Sequence, residues 1–62
     1  MTWAELERQM QRETDYKFFR HRTNHDEWKS QSTGDKVTVG RHKSQEVPHG
    51  VLEKILHQIG LK

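Results

Sequence analysis

The sequence predicts an α+β domain in the order helix–strand–strand–strand–helix, a three-stranded antiparallel sheet with both helices on one face. Three observations lead there. A capping signature followed by apolar residues at helical spacing opens the chain, a stretch alternating with period two fills its middle, and an apolar stripe at helical spacing closes it. Sixty-two residues make a single domain, residues 1–62, near the lower limit of what folds unaided.

Thr2-Trp3-Ala4-Glu5 is a capping box, in which the Thr2 hydroxyl accepts from the Glu5 amide and the Glu5 carboxylate reaches back to the Thr2 amide. Trp3, Leu6 and Met10 follow at helical spacing, placing a helix over about residues 2–14. From Tyr16 the period changes to two. Tyr16, Phe18, Arg20 and Arg22 share one face of a strand, and Lys17, Phe19 and His21 the other. Of the adjacent Phe18 and Phe19, one belongs in the core and the other half-exposed. A tight turn at Arg22-Thr23-Asn24 leads to a second strand, 25–30, with His25, Glu27 and Lys29 on one face and Asp26, Trp28 and Ser30 on the other. Trp28, opposite in parity to His25, belongs in the core. Gln31-Ser32-Thr33-Gly34 is a turn signal, and residues 35–39 form a third strand with Val37 and Val39 inward. Residues 40–47 read as a polar connector. Pro48 suits the first turn of a helix, Val51, Leu52, Ile55, Leu56 and Ile59 form its apolar stripe, and Gly60 caps its end. Three strands in a meander under two helices is the simplest way to bury both stripes.

Only 29 % of residues are hydrophobic and mean hydropathy is −1.20, which leaves one thin core under a large polar surface. With no cysteine, disulfides and thiolate metal sites are excluded and a reducing cytoplasm suits the chain. No apolar run approaches the ~20 residues that cross a bilayer. The N-terminus lacks the basic start and apolar core of a signal peptide. The expectation is a cytoplasmic protein with no membrane partner.

The net charge of +2 hides an asymmetry. In residues 1–15, Arg8 and Arg12 stand against Glu5, Glu7, Glu13 and Asp15. In residues 16–43, Lys17, Arg20, Arg22, Lys29, Lys36, Arg41 and Lys43 stand against only Asp26, Glu27 and Asp35. The positive charge falls on the strands, as suits a surface that meets phosphates.

His25 is the candidate for chemistry. An imidazole both takes and gives a proton near neutral pH. RNA cleavage needs a base for the 2′-OH or an acid for the leaving 5′ oxygen, with cations to stabilise the phosphorane. Arg20, Arg22, Lys29 and Arg41 could supply those cations, and Lys43 and Ser44 could touch phosphate. Taken on its own, His25 reads more simply as a surface histidine. His42 is a possible second proton carrier or a plain connector residue. His21, His25 and His42 match no strong metal pattern, so no metal or other cofactor is expected. Trp28 could stack a base, and Trp3 could meet a partner, but core is the favoured place for both. A non-catalytic module holding structured RNA and a pure protein-interaction domain remain as rivals.

Several short segments, taken in order, carry a resemblance. These are His25-Asp26-x-Trp28, the Thr33-Gly34 turn, Val37-Thr38-Val39-x-Arg41-His42, Lys43-Ser44-x-Glu46-Val47-Pro48-x-Gly50-x-Leu52, and Ile55-Leu56-x-Gln58-x-Gly60-Leu61. Together they resemble the HicA toxins, the mRNA interferases of HicAB toxin–antitoxin systems. The likeness is dense from Asn24 to Leu61 and looser over the first helix.

That resemblance implies a double-stranded-RNA-binding-domain-like fold and ribosome-independent cleavage of mRNA by one histidine on the second strand, here His25. It also implies a HicB-like antitoxin that covers this histidine, and hence a toxin–antitoxin hetero-oligomer. Arg20, Arg22, Asn24, Lys29, Arg41 and Lys43 become the expected RNA-binding residues. No metal is required, because attack by the 2′-OH needs only proton transfer and charge stabilisation. The chain departs from the family pattern at three places. Arg22-Thr23-Asn24 replaces a glycine step before the histidine, Gly40 stands where proline is common, and Thr14-Asp15 replaces a glycine after the first helix.

Overall fold

A computed structural model describes residues 1–62. The order is α1 (Trp3–Glu13), β1 (Tyr16–His21), β2 (His25–Ser30), β3 (Lys36–Gly40) and α2 (His49–Gln58). The strands form an antiparallel meander in the order β1-β2-β3. Leu6 and Met10 of α1 and Ile55 of α2, with Ile59 beside it, join Tyr16, Trp28, Val37, Val39 and Val47 in one core. Both helices therefore cover the same sheet face, and the other face is open. The architecture is double-stranded-RNA-binding-domain-like.

Helix α1 begins as its sequence requires. The Glu5 amide donates to Thr2 Oγ1 at 3.2 Å and the Thr2 amide to Glu5 Oε1 at 2.7 Å. The next unpaired donors of a helix start find carbonyls far along the chain: Trp3 N–H donates to Gln45 O and Ala4 N–H to Lys43 O. The connector 40–47 is thus less free than its composition suggests. It buries Val47 and forms an antiparallel bridge between Glu46 and Thr2. At the other end of α1, the Thr14 hydroxyl donates to Met10 O and accepts from the Tyr16 amide. These bonds close the helix without a glycine.

The β2–β3 turn follows the sequence signal, with Gly34 at φ +79°. The Asp15 carboxylate accepts from the Ser30 and Ser32 side of that turn. Hydrogen bonds from Ser32 hold its pKa below the usual carboxylate range. Helix α2 starts after Pro48, which occupies the N-cap position just outside the first turn. It ends in a Schellman arrangement: Gly60 at φ +83° lets Leu61 N–H reach Leu56 O and Gly60 N–H reach His57 O.

The expectations that fail lie mostly in β1. The expected alternation holds for Tyr16 and Phe18, then breaks at a β-bulge between Phe18 and Arg20. Phe18 pairs with Trp28, Arg20 with Glu27 and His21 with Asp26. The extra residue reverses the parity, so Arg20 joins Phe19 on the open face while His21 turns to the helix side. Neither phenylalanine reaches the core: Phe18 is 49 % and Phe19 41 % exposed. The strand also stops at His21, short of Arg22. On α2, Val51 lies outside the buried stripe.

Gly40 is fixed by packing. A Cβ there would lie 2.6 Å from Trp3 Cε2 and 2.7 Å from Trp3 Nε1, so the indole fills the space a side chain would take. Gly40→Ala should destabilise the fold by about 1–3 kcal/mol, the usual range for overpacking, measured as a lower urea midpoint with unchanged slope.

Candidate active site

His25 is the first residue of β2, half-buried, directly across from Gly40 at the end of β3. The chain is turned into this position by local bonds. Arg22 N–H donates to His25 O at 2.7 Å, and the Arg41 guanidinium donates to Thr23 O at 2.7 Å. Arg41 therefore anchors the β1–β2 turn from the far side of the sheet, which the missing glycine step leaves to side chains. Asn24, Arg41 and His42 line an open polar hollow beside this turn. Within the chain the His25 imidazole has no side-chain hydrogen bond, and it faces away from the core, as Glu27 and Lys29 do.

Around Glu27 the open face is cationic. Arg20 Nε donates to Glu27 Oε1 at 2.7 Å, and this hydrogen bond lowers the Glu27 pKa. Lys29 and Lys36 are cross-strand partners on the same face, and neither makes an ion pair. Their ammonium groups lie 4.9 and 5.3 Å from the centre of the Phe19 ring, with the Arg20 guanidinium carbon at 5.2 Å. Lys36, opposite Lys29, joins this face although nothing in the sequence sets it apart from the other strand cations. Phe19 keeps the face that alternation gives it, half-exposed, and the bulge brings Arg20 onto the same face beside it. Arg22 and Asn24 are exposed in the turn.

Lys43 sits differently from the other cations. Its ammonium donates to Glu7 Oε2 at 2.7 Å, Asp26 Oδ2 at 2.9 Å and Gly40 O at 2.7 Å, so all three protons are used inside the chain. Desolvation lowers its pKa, but the bonds to Glu7 and Asp26 outweigh this and raise it. The Asp26 side chain is only 6 % exposed. Its other oxygen lies 2.6 Å from His21 Nδ1, which requires the proton on that nitrogen because the carboxylate only accepts. Burial pushes the Asp26 pKa up, and the bonds from Lys43 and His21 pull it down further. The signal for this cluster was present in the sequence: strand parity put Asp26 on the Trp28 face, and a buried carboxylate needs a cation. No group of three or more His, Asp and Glu side chains converges as a metal site would require.

Fold and site together define a small double-stranded-RNA-binding-domain-like protein with an unengaged histidine on a basic open face. The family model described as the HicA toxin of bacterial toxin–antitoxin systems matches residues 3–61, and the chain belongs to that family. Comparison with curated proteins and with solved structures gives no match. Membership makes this chain the toxin of a toxin–antitoxin pair and implies an antitoxin partner. No helix is long and apolar enough to cross a membrane.

The Asp26 cluster gives a pH signature. A carboxylate whose folded pKa is depressed stabilises the fold above its unfolded value, about 3.9, and loses that contribution as pH falls through the folded value. Asp26→Asn should therefore cost about 1–3 kcal/mol at pH 7. The gap from wild type should narrow below about pH 4. Urea unfolding of both proteins at pH 7 and pH 3 measures it, and a gap that stays constant would remove Asp26 from the acid response.

Proposed function

We propose that this toxin is an endoribonuclease that cleaves mRNA with His25 as its general acid or base. The observation that carries the reading is the placing of His25. It is the one histidine of the strand region held on the open basic face without an internal partner, at the position of the family's motif. As a base it would take the 2′-OH proton while the 2′ oxygen attacks the adjacent phosphorus. As an acid it would protonate the 5′ oxygen as the P–O5′ bond breaks. Arg20, Arg22, Asn24, Lys29 and Arg41 would hold phosphates or stabilise the added charge. Lys43, with its protons occupied, would act by fixing the strands rather than by binding RNA directly.

The reaction needs no metal on this reading. A HicB-like antitoxin would cover the same basic face, forming a cytoplasmic toxin–antitoxin hetero-oligomer. A complex that leaves His25 open to solvent would contradict that placement.

Incubating single-stranded RNA with the protein in EDTA, wild type beside His25→Ala, tests the catalytic assignment. Loss of a general acid or base should slow cleavage by about 100-fold or more, and growth arrest should disappear with it. Circular dichroism and antitoxin binding should be unchanged. Cleavage by His25→Ala at the wild-type rate would refute the assignment, and RNA binding without products from wild type would favour a non-catalytic module.

Phosphate contact by Lys29 has a separate signature. Lys29→Ala should weaken RNA binding across sequences and reduce the salt slope by about 1, as measured by titration at several salt concentrations. An unchanged slope would mean that Lys29 meets no phosphate.

A further inference from the structure

We infer that Phe19 is a base-stacking platform that positions a nucleotide of the RNA substrate beside His25, an inference that rests on the ribonuclease reading above. The β-bulge makes the platform. Without it, only one of two consecutive residues could face outward, but here Phe19 and Arg20 lie together opposite Glu27. Phe19 is 41 % exposed and rises from a strand face rather than a loop, which holds the ring's orientation.

Its surroundings select the ligand. Three cations lie within 5.3 Å of the ring centre, and Glu27 is the carboxylate among them, already paired with Arg20. A flat aromatic amid unpaired ammonium groups suits a base with phosphates on either side. Phe18, the nearest large apolar residue in sequence, pairs with Trp28 toward the helix side. Phe19 is thus an isolated ring and not part of the contiguous apolar patch that the core of a protein interface requires.

The lysines do not block the ring. An exposed cation–π contact is weaker than base stacking, so an incoming base would displace an ammonium toward the phosphate it brings. The spacing also fits. His25 and Glu27 are two residues apart on one strand face, about 7 Å, and Phe19 is one strand across, about 5 Å. A base on the ring therefore belongs to a nucleotide close to the phosphodiester that faces His25.

The test uses full-length His25→Ala protein, which cannot consume the RNA, carrying Phe19, Phe19→Leu or Phe19→Trp. The probe is a short single-stranded RNA with 2-aminopurine at successive positions. Phe19→Leu keeps apolar volume but removes the π face. It should weaken binding about 5- to 100-fold with an unchanged salt slope, and should lose the fluorescence quenching seen at one probe position. Phe19→Trp should restore both, which a merely structural role would not do. Equal affinity and quenching in all three proteins would overturn the platform while leaving the nuclease reading intact. So would a Phe19→Leu protein that loses antitoxin binding but keeps RNA binding. An absence of RNA binding even with Phe19 present would defeat both readings.

Discussion

The Lys43 ammonium joins four parts of the molecule at one point. It receives the Glu7 carboxylate from α1, the Asp26 carboxylate from β2 and the Gly40 carbonyl from the end of β3, and Asp26 passes the connection to His21 at the end of β1. In a chain with so thin a core, such a cluster carries more than its share of specificity. A buried carboxylate without its cation is costly, so strand registers that separate Asp26 from Lys43 are disfavoured. The correct register also puts His25 across from Gly40. The positioning of the candidate catalytic residue thus depends on a charge cluster one residue away, on the opposite face of the same strand.

That arrangement divides the basic residues into two kinds. Lys43 is spent internally and Arg41 is bound to the β1–β2 turn, whereas Lys29 and Lys36 have only an aromatic ring for company. Sequence charge alone cannot make this distinction. It counts cations on strands, while the structure sorts them by what their protons already hold.

The fold was legible because each element obeyed a local rule. The capping box at Thr2 and Glu5, the Gly34 turn and the stripe at Ile55 and Ile59 all formed where spacing put them, and parity in β2 placed Trp28 inward and His25 outward. Beyond Phe18 that legibility ended. A bulge adds one residue to a strand and leaves no mark in an alternation pattern, so the expected faces of Arg20 and His21 are reversed, while Phe18 and Phe19 keep their faces but neither is buried. The connector was the other gap. Its polar side chains hid the fact that the carbonyls of Lys43 and Gln45 serve helix α1, and backbone partners forty residues apart have no signature in composition.

The distant pairing between α1 and the connector has a consequence for the order in which the toxin can form. The β-meander uses contacts close in sequence and can assemble early. The first turn of α1, though made first, finds carbonyl partners for the amides of Trp3 and Ala4 only when residues 43–47 arrive, and Lys43 itself arrives with them. The sheet end that bears His25 is therefore locked only after residues 43–47 have packed against α1. The closing of one long loop, with its entropy cost, is thus the step that completes both the first turn of α1 and the end of the sheet beside His25.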